Sequence, residues 1–211
     1  MPFEVEIIKA LQSARNGFFD FFFDVYSYLG SLWIVAIACL LIFFLYSKKL
    51  GTLLAISEGF AYLTSFLIKH IVKRPRPFVN NVDIVNIGLE KGYSFPSGHL
   101  TATIGIAVFV LFICFSVFKN RGKIVSTILV VFYVLLMVLD RMYLGVHYLT
   151  DTLAGIAVGG LWASLLLLLF PLFSKLWDKT FGKLKQKASV EATNTNAEEK
   201  QVGGDTKQKA E

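Results

Sequence analysis

The sequence predicts an all-α, polytopic membrane helix bundle, and three observations carry that prediction. Hydrophobic residues make up 55% of its 211 residues, and the mean hydropathy is +0.61, above the apolar share of an ordinary soluble domain. The apolar residues come in long runs of about the 17–25 residues that one membrane crossing needs. The charges are concentrated between those runs instead of being spread along them.

Five runs read as spans. Ser31–Ser47 carries no charge, and Gly51–Ile68 carries one, Glu58. Ser97–Phe118 has only His99, while Ile124–Leu139 and Thr152–Phe173 have none. Ahead of them, "FFDFFFDVYSYLG" is aromatic-rich but broken by Asp20 and Asp24, four residues apart on one side of a helix. That pattern favours an amphipathic helix lying in the membrane interface over residues 1–30, with a sixth span as the alternative. The start lacks a basic stretch followed by an apolar core, so no cleaved secretory leader is expected. The organisation expected is an interfacial segment at 1–30, a membrane domain at 31–174 and a tail at 175–211. From Ala188 to Glu211 the tail has no aromatic residue and the composition of a disordered segment. The lysines before it can anchor to anionic lipid or simply set topology.

Short basic loops orient the bundle. Lys48 and Lys49, then Lys119, Arg121 and Lys123, then Lys175, Lys179, Lys183, Lys185 and Lys187 all fall on one side, which the positive-inside rule makes cytoplasmic. The opposite, extracytoplasmic side receives residues 69–92 and 140–151, and the tail is expected in the cytoplasm. The net charge of +6 is thus accounted for by membrane and headgroup contacts, and no nucleic-acid partner is expected. Cys39 and Cys114 both lie inside spans, where lone cysteines usually pack, and suggest neither a disulfide nor a zinc site.

Three polar clusters converge on the outer side. "KHIVKRPRP" places Lys69, Lys73, Arg74 and Arg76 within eight residues, and Pro75 and Pro77 stop the helix and stiffen the loop. A snorkelling belt explains one or two of these cations; an anion site is the alternative for a basic cluster on this side, since arginine offers paired hydrogen bonds to a phosphate and lysine adds a point charge. "FPSGH" reads as a helix start, with Ser97 as N-cap, Gly98 allowing close backbone approach, and His99 in the first turn beside free N–H groups. "DRMYLGVHYLTD" puts His147 and Asp151 four apart, on one face if a helix begins there, with Arg141 six residues earlier. A carboxylate on one imidazole nitrogen leaves the other free as a nucleophile; an interfacial salt-bridge set capping two helices is the other reading. Two histidines, a carboxylate and several cations form an inventory for phosphoryl transfer without a metal, and no acidic cluster suited to magnesium or calcium lies on that face.

Lys69-x6-Arg76-Pro77, then Pro96-Ser97-Gly98-His99, then Arg141-x5-His147-x3-Asp151 resembles, in order and spacing, the type 2 phosphatidic acid phosphatase superfamily over roughly residues 50–173. The resemblance implies that His147 is the nucleophile and forms a phosphohistidine, that Asp151 orients it, and that His99 is the general acid. It implies that Lys69, Arg76 and Arg141 hold the phosphate oxygens, that Ser97 and the Gly98 N–H complete the cradle, and that neither metal nor cofactor is required. The third motif departs from the family pattern at Asp140, where a serine is usual: an ionised carboxylate would repel phosphate unless it turned away to pair with Arg141 or Arg74.

The resemblance implies an integral membrane lipid phosphatase acting at the outer leaflet of the cell membrane, with undecaprenyl pyrophosphate first among its substrates, then phosphatidylglycerophosphate, phosphatidate and lipid A. A non-catalytic protein that binds lipid phosphate is the rival of another class, and a phosphotransferase would use the same residues. Of the remaining residues, Arg74 is a candidate for a second phosphate, His70 is read as interfacial, Glu58 as a helix-packing partner, Gly155 and Gly159 as sites of close helix packing, and Tyr143 and Tyr148 as interface aromatics.

Overall fold

A computed structural model of the chain describes residues 2–88 and 90–181. Among the described residues of its first compact unit, Met1–Leu168, every regular element is helical. Helix α1, Pro2–Ser13, opens on a proline, whose missing N–H costs nothing at a helix start. Helix α2, Gly17–Ser27, is capped by Asn16, whose Oδ1 accepts from Phe19 N at 3.0 Å. A single 3-10 turn, Tyr28–Gly30, leads through an extended Ser31 (φ −81°, ψ 158°) into α3, Leu32–Leu41. A π-helical turn, Ile42–Tyr46, continues α3.

Ser47 caps α4, Lys48–Val72, which ends at a left-handed Lys73 (φ 50°). Pro75 two residues later prevents any continuation of that helix. A one-turn helix α5, Pro77–Asn80, follows. The long helices α6, Gly98–Val117, α7, Asn120–Tyr143, and α8, Leu149–Leu168, complete the unit. The second unit, Leu169–Glu211, is helical from 170 to 181. The disordered tail expected from Ala188 lies outside the described residues.

Among the described residues, four helices are long and apolar enough to cross a membrane, and α2 with α3 makes a fifth run if its 52° bend is taken as one broken span. The chain is thus an all-α, multi-pass membrane bundle. The apolar stretch Ser31–Ser47, expected to span by itself, falls short as a straight helix: α3 has 10 residues and the π turn five. Extended Ser31 turns it away from α2, and only the bent pair reaches membrane length. The last span is also shorter than the sequence suggested, since α8 stops at Leu168 rather than Phe173.

Small residues set the packing at the centre. A Cβ on Gly155 would lie 2.5 Å from Ser97 O, and one on Gly159 would overlap Thr101 O. Helices α6 and α8 therefore touch backbone to backbone, as the small-xxx-small spacing anticipates. The N-terminal segment is less peripheral than its composition suggests: Ile8 of α1 is fully buried with Leu100, Met137, Met142 and Tyr148. Exposed apolar side chains along α7, including Ile128, Phe132 and Leu135, form the lipid-facing surface expected of such a bundle.

Candidate active site

The C-termini of α4 and α7 and the N-termini of α6 and α8 lie at one end of the bundle, because successive long helices run antiparallel. That end gathers the three sequence clusters. His147 sits in the short turn between α7 and α8, and Gly145 makes the turn possible. Its φ is +73°, and a Cβ there would overlap Val85 O; only glycine combines that backbone with that contact. The turn leaves His147 1% exposed.

A carboxylate occupies the centre of the cluster. Glu90, from the α5–α6 connection, accepts from Arg141 Nη1 on Oε1 at 2.7 Å and pairs through Oε2 with Arg76 Nη1 at 2.8 Å. His99 Nδ1 lies 3.6 Å from Oε1, and His147 Nε2 lies 3.8 Å from Oε2. One small anion is thus held by two guanidiniums with an imidazole beside each oxygen. Burial would raise the pKa of Glu90, but its electropositive neighbours His147, Arg141, His99 and Arg76 outweigh that and hold it down at about 2. Burial pushes the His147 ring well below the usual histidine value, Glu90 opposes this, and the charges of Arg76, Lys69 and Arg141 reinforce it.

The two nitrogens of His147 face different partners. Nε2 points to the anion and lies 3.4 Å from Arg76 Nη1. Nδ1 faces Asp151 Oδ2 at 3.6 Å, too long for a hydrogen bond, and has no other partner. Asp151 Oδ2 accepts instead from Tyr148 N at 2.9 Å, and its Oδ1 accepts from Arg74 Nη1 at 2.6 Å.

The remaining expected residues are placed with more varied partners. Arg141 is fully buried; its Nε donates to Asp140 Oδ2 at 2.6 Å and its Nη2 to Ser27 Oγ. Asp140 therefore turns from the anion and balances the guanidinium that serves it. Arg76 is anchored by the carbonyls of Gly92, Val146 and Lys91. Lys69 Nζ donates to Pro96 O at 2.7 Å and Tyr93 O at 3.1 Å, so its ammonium fastens the backbone leading into α6. Ser97 caps α6 by accepting from Leu100 N, and its own N–H donates to Asp151 O at 2.9 Å. Around Gly98 no atom would approach an added Cβ within 4 Å.

Several participants escaped sequence reasoning. Glu90 lay in a loop without periodicity, and an acid among cations expected to hold an anion runs against charge logic. Arg74, weighed for a second phosphate, bridges Asp151 and Glu4 instead. Tyr143 and Tyr148, expected as interface aromatics, are buried within the protein: Tyr143 Oη donates to Asp20 at 2.6 Å, and Tyr148 stacks under Arg74 at 3.9 Å. His70 donates to or accepts from no site residue and packs on Phe66.

The bundle and its anion-holding end define an integral membrane protein built around one small anion flanked by two imidazoles. The model of the PAP2 superfamily matches residues 50–175, and the chain belongs to that superfamily. It is 30% identical to the lipid A 4'-phosphatase of Porphyromonas gingivalis, over 75% of this chain and 71% of that protein. It is 27% identical to a probable sphingosine-1-phosphate phosphatase of Dictyostelium discoideum, over 75% of this chain but only 39% of that one. The chain therefore spans between about two fifths and seven tenths of the length of these curated relatives. The crystal structure of a transmembrane PAP2 type phosphatidylglycerolphosphate phosphatase from Bacillus subtilis superposes with a TM-score of 0.67 at 27% identity, covering 77% of this chain and 82% of that one.

Proposed function

We propose that the protein hydrolyses a phosphate ester or pyrophosphate on the headgroup of a membrane lipid. One observation supports the reading: the Glu90 carboxylate lies between Arg76 and Arg141 and within 3.8 Å of both imidazoles, surroundings that suit an anion. A phosphoryl group taking its place meets the same donors. Relatives in the superfamily are described as phosphatases of lipid A, phosphatidylglycerophosphate and sphingosine phosphate, which supports a lipid as the substrate's other half.

In this reading, His147 Nε2 attacks phosphorus in line while the phosphorus–oxygen bond to the lipid breaks. Arg76 and Arg141 neutralise the charge that spreads over the equatorial oxygens. His99 gives its proton to the leaving oxygen. It then takes a proton from water, which attacks phosphorus and breaks the phosphorus–nitrogen bond, releasing orthophosphate and restoring His147. Asp151 faces Nδ1 and favours the tautomer with the proton there. Its 3.6 Å separation is of the kind that tightens once substrate is bound. Lys69 and the Ser97 cap act by fixing the loop that presents Gly98 and His99. No step calls for a metal.

The lipid chain has a path. An open apolar groove of about 470 Å³ between α3 and α4 is lined by residues including Leu32, Val35, Cys39, Ala55 and Tyr62. A smaller cavity shares Leu32, Glu58 and Tyr62 with it and continues to Gly98. A headgroup in the cage and a chain in the groove would belong to one molecule. The basic loops support an extracytoplasmic site. Undecaprenyl pyrophosphate is the first substrate to test, followed by phosphatidylglycerophosphate, phosphatidate and lipid A. The test is orthophosphate release by purified protein across that panel; no release from any of them would end the reading.

A further inference from the structure

Helix α1 lies outside residues 50–175, the part of the chain that matches the family model, yet one of its side chains enters the site. Glu4 is 2% exposed, held one turn from the buried Ile8. Its Oε1 accepts from Thr150 N at 2.8 Å and from Thr150 Oγ1 at 2.7 Å. Its Oε2 accepts from Arg74 Nη2 at 2.9 Å.

Helix α8 needs this acceptor. Its first residue is Leu149, so the N-cap position falls on Tyr148, whose side chain cannot accept from the first-turn N–H groups. Glu4 supplies the missing oxygen from another helix, and its negative charge suits the positive end of α8. Asp151, third in the helix, closes the opposite half by accepting from Tyr148 N, the arrangement of a capping box. Arg74 joins the two carboxylates: one guanidinium nitrogen bonds Glu4, and the other bonds Asp151 Oδ1 at 2.6 Å and Thr150 Oγ1 at 2.6 Å. Asp151 is the residue that faces His147 Nδ1.

We infer that Glu4 is a positioning residue for the reaction, holding Asp151 against His147 through Arg74 and the first turn of α8. The inference rests on His147 being the nucleophile. Without Glu4, Arg74 keeps one carboxylate partner and can draw Asp151 off the ring, while the anion donors Arg76 and Arg141 are untouched. Glu4 therefore acts on the chemical step and leaves substrate binding alone.

The test uses the full-length protein in detergent micelles, with dioctanoyl phosphatidate and farnesyl pyrophosphate as probes. E4A is expected to lower kcat about 10-fold with KM within about twofold, and E4D to recover most of the loss. In a D151N background, E4A should have no further effect, because the path runs through that carboxylate. A readout independent of turnover is the 15N-histidine spectrum, in which His147 should be an Nδ1–H tautomer in the wild type and a mixture of tautomers in E4A, with the other histidines unchanged. Additive losses with D151N, a change confined to KM, or an unchanged His147 tautomer would overturn the inference. E4Q keeps an oxygen for Thr150 but loses the charge facing Arg74; wild-type kcat in E4Q would reduce Glu4 to a structural cap and also overturn it. Full activity in H147A, by contrast, would remove the nucleophile and with it the reading beneath.

Discussion

Glu90 Oε1 and Arg141 Nη1 lie 2.7 Å apart, with the arginine donating, so an acid from a surface connection neutralises a guanidinium at the centre of the anion site. In the proposed reaction, a substrate phosphate, or orthophosphate as product, would have to displace that carboxylate to reach the same donor.

Removing the charge at Glu90 should make the site more receptive to small anions. E90Q is expected to bind orthovanadate and orthophosphate about 10-fold more tightly, the scale of one charge-assisted hydrogen bond relinquished to the ligand. Competitive inhibition constants measure this. Unchanged or weaker inhibition would mean that Glu90 and the ligand occupy different places.

H147A should lose turnover by about a thousandfold or more, as expected when a nucleophile is removed and the electrostatic cage remains. Orthovanadate should still bind, because Arg76 and Arg141 hold the anion independently of the ring. Rapid-quench capture of an acid-labile phosphoenzyme in the wild type, absent from the variant, is the accompanying measurement.

Acid should affect activity and stability in the same direction. Burial depresses His147, so it keeps its lone pair below the ordinary histidine value, and the acid limb of kcat/KM attributable to it should lie below about pH 6.5. E90Q should move that limb lower still, because the Glu90 carboxylate favours the imidazolium. Both groups are depressed on folding, so the unfolded chain binds more protons in acid. Stability should therefore fall as pH drops below about 6.5 on account of His147, and again between about 4.3 and 2 on account of Glu90. Thermal unfolding at pH 7, 5 and 3 checks the sign, and a rising midpoint on acidification would contradict it.

Chelation should leave turnover intact. The proposed steps use two imidazoles and two guanidiniums, and activity in EDTA is expected to equal that in untreated buffer. A loss that magnesium reverses would overturn the metal-free reaction.

Packing at Gly159 should tolerate no side chain. Its Cβ would overlap the backbone oxygen of Thr101, which cannot swing aside as a side-chain end can. G159A is expected to cost about 1–3 kcal/mol, the range for overpacked cores, seen as a lower unfolding midpoint in micelles.

Much of this architecture could be read from residue order alone. Long apolar runs located α4, α6, α7 and α8, and the spacing of Lys69, Arg76, His99, Arg141, His147 and Asp151 identified the segments that meet. What escaped depends on side-chain direction and on unpatterned chain. Lys69 lies in the last turn of α4 and the arginines in the connection just beyond it, yet its ammonium turns to backbone carbonyls. Glu90 sits in a connection with no period to read. Glu4 belongs to a helix whose composition suggested a peripheral role, and the carboxyl that reaches α8 is separated from it by 146 residues. The bend between α2 and α3 arises from an extended Ser31, which hydropathy does not register.

The contact at Gly155 and Gly159 closes one side of the molecule. Where two helices touch main chain to main chain there is no room for a hydrocarbon tail to slip between them, so the α6–α8 seam is a wall. In the proposed reading, lipid entry falls to the open groove between α3 and α4 and not to the seam that two missing side chains close.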